Sequence, residues 1–245
     1  MSTTPANLLR IPGEVLDYYL SLGYYRMNQD LFTCRFLPVE GSVYTVHWLR
    51  LVLADVAYGS KQRRLLRQND ERFTLAVKPF RLTAEYETLY ARYHQYIDFE
   101  AAASLEALLL AGNAHSVFTT QIIEVRDGEK LIAAGVFDCG TESIAGIVNF
   151  YDPDYRKYSL GKYLLLLKTE YARRQQLTYY YPGYLVQGYP KFDYKLFACQ
   201  AATEVFDCRS SQWLPFLWQA VDEQSAAIRA DSQRNFLAEE EELSE

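Results

Sequence analysis

Long apolar runs are missing from this chain of 245 residues: no stretch of about 18 apolar residues occurs, which excludes a membrane-spanning helix. The opening MSTTPANLLRIPGEV also lacks a charged start followed by an apolar core, so no secretory leader is expected and the cytoplasm is the expected compartment. Cysteine is sparse. Cys34, Cys139, Cys199 and Cys208 are widely spaced without a C-x-x-C pair, which argues against a zinc site or a dithiol redox motif and for reduced, buried thiols. His47, His94 and His115 are the only histidines and form neither H-x-x-x-H nor H-E-x-x-H, so no metal is expected and each reads as structural or surface. An excess of basic charge is absent too, with 25 Lys and Arg against 31 Asp and Glu and a net charge of -6. That balance argues against a protein that coats nucleic acid non-specifically and leaves room for a local basic patch.

Tyrosine, by contrast, is abundant, with 21 in the chain, and it concentrates in one region. From Tyr151 to Lys195 the sequence reads YDPDYRKYSLGKYLLLLKTEYARRQQLTYYYPGYLVQGYPKFDYK. The loop Arg156-Lys157-Tyr158-Ser159-Leu160-Gly161 lies between an apolar run ending at Phe150 and a helical pattern over 159–176. Such a strand-loop-helix junction can hold a phosphate, because the N–H groups at a helix start are unpaired and the dipole favours negative charge there. Beyond the helix, Tyr179, Tyr180, Tyr181, Tyr184, Tyr189, Phe192 and Tyr194 are interrupted by Pro182, Gly183, Gly188 and Pro190 and accompanied by Lys191 and Lys195. Aromatic faces beside cations suit nucleotide bases and phosphates. The competing reading is a short strand that buries the rings with their hydroxyls bonded nearby.

Upstream, apolar spacing predicts a helix over 13–22, a strand over 43–53, a basic amphipathic segment over 60–67 and a strand over 73–77 ended by Pro79. Helices are expected over 83–96, opened by a Thr83 cap, and over 101–111, followed by strands over 117–125, 131–138 and 144–150. The first two of these strands are joined by the hairpin signal Asp127-Gly128. A short strand over 178–181 and a last helix over 213–229 complete the pattern, and Glu239 to Glu242 read as a solvated tail.

Helices, antiparallel strands, a phosphate-type loop, a helix and a further strand, in that order, resemble the Gcn5-related acyltransferases, whose loop Q/R-x-x-G-x-G/A is similar to Arg156–Gly161 with Ser159 in place of the first glycine. That replacement requires no positive φ at Ser159. A narrower resemblance rests on Asp152-Pro153-Asp154-Tyr155, Ser159-Leu160-Gly161, Tyr180-Tyr181-Pro182-Gly183-Tyr184 and Tyr189-Pro190-Lys191-Phe192-Asp193-Tyr194-Lys195. Their succession is similar to the C-terminal region of the arginyl- and leucyl-tRNA-protein transferases. Leu22-Gly23-Tyr24-Tyr25-Arg26, the segment from Ser60 to Arg67 and Tyr90-Ala91-Arg92-Tyr93 also resemble stretches of that family. Two departures stand out: only Cys34 falls where the family carries a cysteine cluster, and Tyr189 replaces the cysteine of its CPKM element.

The resemblance implies an α+β fold, a Gcn5-related acyltransferase-like mixed sheet flanked by helices with a smaller N-terminal α/β lobe. The expected units are residues 1–80, a catalytic domain over 81–230 and an acidic tail over 231–245. It implies transfer of an arginyl or leucyl group from aminoacyl-tRNA to the N-terminal α-amino group of acceptor proteins, chiefly those beginning with Asp or Glu. Aminoacyl-tRNA is then a co-substrate, with no cofactor, no membrane and no DNA partner. In this scheme Tyr184 or Asp193 serves as base, while Arg156, Ser159, Leu160, Gly161, Tyr180, Tyr181, Lys191 and Lys195 hold the tRNA 3′ end. Arg63 and Arg64 receive an acidic acceptor side chain or the tRNA backbone, or form a solvated helix face. An acyl-CoA-dependent N-acyltransferase and a non-catalytic recogniser of N-termini or tRNA are the alternatives.

Overall fold

A computed structural model of the protein describes residues 10–242, with side chains to residue 234. The start of the expected leader-free N-terminus, residues 1–9, and residues 243–245 of the expected tail lie outside the described residues. The elements are α1 (Gly13–Ser21), β1 (Tyr25–Met27), β2 (Asp30–Phe32), β3 (Phe36–Val39), β4 (Ser42–Val52), α2 (Ser60–Asp70), β5 (Thr74–Pro79), α3 (Ala84–Tyr96) and α4 (Leu105–Leu109). There follow β6 (Thr120–Asp127), β7 (Lys130–Cys139), β8 (Ser143–Tyr151), α5 (Leu160–Arg174), β9 (Tyr179–Val186), β10 (Thr203–Asp207), β11 (Gln212–Pro215) and α6 (Trp218–Glu242).

One mixed sheet of nine strands, in the order β11-β10-β4-β9-β8-β7-β6-β5 with β3 added to β4, runs through the molecule. All its ladders are antiparallel except β8 with β9. The fold is therefore α+β, a mixed sheet flanked by helices, as expected. Strands from both sides of residue 80 share this sheet, because β4 pairs with β9 and β5 with β6.

Local signals explain much of this arrangement. Asp127 pairs with Lys130 across a turn in which Gly128 has φ 58°, as a D-G hairpin requires. The Thr83 side chain accepts from the Tyr86 N–H and caps α3. Helix α5 buries Leu160, Leu164, Leu165 and Leu166 against Ile132, Phe137, Ile144 and Tyr180. Each such side chain contributes about 1.5–3 kcal/mol relative to exposure. The opposite face is covered by α3 and α4, whose Tyr86, Leu89, Leu105 and Leu109 meet Ile122, Val136 and Phe150. Leu16 and Leu20 of α1 join the cluster around Trp48 and Tyr181 there.

Several elements depart from the expected pattern. Segments 25–27, 30–32, 36–39, 203–207 and 212–215 form strands that no clear alternation announces, since each is only three to five residues long. Trp213 belongs to β11 rather than to the last helix, which starts at Trp218 and continues to Glu242. The backbone of glutamates 239–242, expected as a solvated tail, continues this helix.

Helix α6 is docked by a buried polar contact. His47 of β4 bonds Ser225 Oγ through Nε2 at 2.8 Å and Gln224 Oε1 through Nδ1 at 3.2 Å. Burial pulls the imidazole from its ordinary 6.5 down to about 4, so the folded protein holds it neutral. Below pH about 6.5 the unfolded chain binds a proton that the folded state refuses. Stability is therefore expected to fall between pH 6.5 and 4, by at most about 3 kcal/mol. Urea unfolding across that range measures the slope, and His47→Gln is expected to flatten it.

Candidate active site

The parallel pair β8 and β9 stays together for three rungs, Ser143 with Tyr179, Ile144 with Tyr180 and Ala145 with Tyr181. Pro182 comes next and has no N–H to offer the ladder. On the other edge of β9 the register against β4 shifts between Leu49 and Leu51, and Gly183 takes φ +102°, a conformation that suits glycine. Beyond this point β8 and β9 diverge. A cleft of about 910 Å³ opens between them, lined by Gly146, Val148 and Asn149 of β8 and by Pro182, Gly183 and Tyr184 of β9. Leu165 and Lys168 of α5 line it from one face of the sheet, Tyr90 and Tyr93 of α3 from the other. A smaller cavity of about 650 Å³ beside Arg81, His115 and Gln121 contains none of the expected site residues.

The phosphate-type loop borders the cleft. Its D-P-x-Y start is structural: buried Asp152 caps the following turn by accepting from the Asp154 N–H at 3.1 Å and pairs with Lys130 at 2.8 Å and Arg92 at 3.1 Å. Tyr155 donates to Asp127 at 3.0 Å, and Asn69 of α2 donates to the Tyr158 carbonyl at 3.0 Å. Ser159 then adopts φ 51° and ψ 45° before α5 begins. Positive φ is thus required after all at this position, and serine bears the strain that glycine would escape. No side chain caps the first turn of α5, and Arg156, Ser159, Leu160, Gly161 and Lys162 all face the cleft.

Two lysines dominate the electrostatics. Lys168 is buried, and its Nζ donates to the Val136 carbonyl at 2.7 Å and the Val148 carbonyl at 3.3 Å. Room for it exists because residue 135 is glycine, whose added Cβ would stand 2.9 Å from Lys168 Cε. Lys195 is 8% exposed, and its Nζ donates to the Tyr184 carbonyl at 2.8 Å. The rings of Phe192, Tyr184 and Tyr194 lie 4.4, 5.1 and 5.3 Å from the same nitrogen. Burial lowers both ammonium groups to about 7. Asn149 adds a side-chain oxygen, buried and without a hydrogen-bond partner.

The expected residues divide between this cleft and the rest of the fold. Arg156, Ser159, Leu160, Gly161, Tyr180, Tyr184, Lys191 and Lys195 are brought together in it. Tyr181 is not, because strand alternation turns it to the opposite face from Tyr180, where it packs on Tyr25 and Trp213. Tyr180 is 1% exposed, so it forms wall rather than an open stacking platform. Asp193 does not line the cleft. Burial raises the Tyr184 phenol, which suits it to donate a hydrogen bond rather than to take a proton. Arg63 and Arg64 are exposed on α2, outside the cleft. Lys191 pairs with Asp98 beside Phe99. Lys168, Asn149 and Trp48 were missed by sequence reading, although the lysine that directly follows the apolar run from Leu164 to Leu167 was a visible signal. Among the described residues no three His, Cys, Asp or Glu side chains are grouped as a metal site needs.

Comparison with known proteins bears on this region directly. Residues 85–200, which include α3, β8, the loop, α5, β9 and Lys195, match the model described as arginine-tRNA-protein transferase, C terminus. Among curated relatives, an aspartate/glutamate leucyltransferase of Stenotrophomonas maltophilia is 29% identical over 60% of this chain and 61% of its own length. One from Hahella chejuensis is 33% identical over 55% of this chain and 58% of its own. The enzyme of that name from Leptospira interrogans is 26% identical over 83% of this chain and 79% of its own. The chain thus matches less than two thirds of the length of the first two.

The strained serine yields a measurable expectation. Ser159→Gly removes a left-handed residue other than glycine and is expected to raise the unfolding free energy by about 1 kcal/mol, read from the urea midpoint.

Proposed function

We propose that this chain transfers an aminoacyl group, leucyl in preference to arginyl, from aminoacyl-tRNA to the α-amino group of proteins that begin with Asp or Glu. The cleft between the parted strands β8 and β9 carries this reading. It is open to the loop from Arg156 to Gly161 at one end and bounded by two buried lysines within. A tRNA 3′ end lying along the loop would have its phosphates met by the first turn of α5 and by Arg156, while its ester carbonyl reaches Lys195 and Tyr184.

The charge inventory supports the choice of substrates. Arg156, Lys162, Lys168, Lys191 and Lys195 line the cleft, as does Arg26, which is already paired with Asp138, and Asp98, paired with Lys191, is the one acid among its described lining residues. A transferred arginyl side chain would find no free carboxylate, whereas a leucyl chain would meet Leu165, Val148 and Tyr90. An acidic acceptor side chain gains from the same surplus of cations. The names of the relatives, aspartate/glutamate leucyltransferase, agree with both choices. Arg63 and Arg64, exposed outside the cleft, suit the tRNA backbone better than the acceptor side chain.

Chemically the demand is modest. The ester is already activated, so alignment of amine and carbonyl and removal of a proton suffice, and no cofactor beyond the aminoacyl-tRNA is needed. The reaction belongs in the cytoplasm, where charged tRNA is available. Incubation of the purified chain with labelled Leu-tRNA and a peptide beginning with Asp is expected to label the peptide. A peptide beginning with Ala loses a charged contact, at a cost of roughly 1.5–3 kcal/mol, and Arg-tRNA brings an unpaired charge into the cleft, so each is expected to react at least about tenfold more slowly. Absence of labelling with either tRNA overturns the reading.

A further inference from the structure

We propose that Lys195 is the general base that takes a proton from the acceptor's α-ammonium group; this rests on the transferase reading above. The geometry separates it from the other candidates. Lys168 lies deeper and commits its Nζ hydrogens to two strand carbonyls, which ties β7 to β8. Lys195 has one acceptor, the Tyr184 carbonyl, and forms no ion pair among the described residues. As a neutral amine it can donate one hydrogen to that carbonyl and aim its lone pair into the cleft. Gly183 holds it there, with its backbone close enough that an added Cβ would stand 3.3 Å from Lys195 Cε. Once protonated, the nitrogen is stabilised by the faces of Phe192, Tyr184 and Tyr194.

The groups around it favour this role. Burial holds the Lys195 ammonium near 7, opposed by Asp193 on the same turn. That value lies just below the reference of about 8 for an α-amino group, so the two nitrogens exchange a proton readily near neutral pH. Tyr184 from β9 and Tyr194 stay protonated, both raised by burial, Tyr194 to about 12. Lys191 is occupied by Asp98. In the reaction Lys195 Nζ removes one proton from the α-ammonium. The freed nitrogen attacks the ester carbonyl carbon, the C–N bond forms and the C–O bond to the terminal ribose breaks. The ribose oxygen leaves with the second proton of the attacking nitrogen, and Lys195 returns its own proton to water.

Single-turnover transfer of leucine from Leu-tRNA to an Asp-initiated peptide, followed from pH 5.5 to 9, tests this. Wild-type protein is expected to show a rate that rises through an apparent pKa near 7. Lys195→Met and Lys195→Arg are both expected to lose about 100-fold or more in rate at saturating tRNA, with half-saturating tRNA little changed. Arginine cannot give up its proton, so it separates a base from a phosphate clamp. Added ethylamine is expected to restore part of the rate of Lys195→Ala. If Lys195→Arg keeps the wild-type rate, or only the half-saturating tRNA rises, Lys195 is a clamp and the base is overturned while the transferase reading stands. No transfer by wild type defeats that reading and the base with it. Should Lys195→Met or Lys195→Ala not fold, the wild-type pH profile and Lys195→Arg still decide.

Discussion

Everything proposed for this protein depends on two parallel strands that begin paired and then part. Strands β8 and β9 share hydrogen bonds only up to Ala145 and Tyr181, and the next residue, Pro182, cannot donate. A bulge against β4 and the left-handed backbone of Gly183 turn β9 away at the same level. A regular ladder at these positions would fill the gap with backbone bonds. The opening instead leaves strand edges, a helix start and side chains from both faces of the sheet around one volume.

Placement of charge follows from that opening. A lysine in a closed core is costly unless its ammonium is fully bonded. Lys168 meets this cost with two strand carbonyls beside the bulge in the β7–β8 ladder. Lys195 meets it only partly, with one carbonyl and three rings. Hence two lysines with the same direction of shift differ in what they are free to do. Farther out, Asp152, Lys130 and Arg92 brace the loop, so the strain at Ser159 is held by a framework of ion pairs rather than by the helix it precedes.

On the other side of the sheet the segment Gly23-Tyr24-Tyr25-Arg26 takes a structural role. Tyr25 stacks on Trp48 at 3.9 Å and donates to the Leu49 carbonyl at 2.8 Å, while buried Arg26 pairs with Asp138 at 2.9 Å. Burial raises the Asp138 carboxyl, and Arg26 with Thr120 oppose that rise. This ion pair fixes the N-terminal segment to β7 beside the cleft. Strands β1 and β2, which pair only with each other, are thereby fixed against the sheet that carries the site.

The sequence by itself determined the elements whose signals are local. The Thr83 cap, the Asp127-Gly128 hairpin, the apolar face of α5 and the order of strand, loop and helix around Ser159 all follow from neighbours a few residues apart. So did membership of Arg156, Gly161, Tyr184, Lys191 and Lys195 in one site, through the order of their motifs. Only the tertiary structure decided which tyrosine faces which side, because Tyr180 and Tyr181 are adjacent and their roles depend on register and on the bulge beside Pro182. It alone buried Lys168 and Lys195, since burial depends on partners far along the chain, Val136 and Val148 for one and Gly183 and Tyr184 for the other. Short strands such as β1, β2, β10 and β11 likewise exist only through their pairing, which a single chain segment cannot reveal.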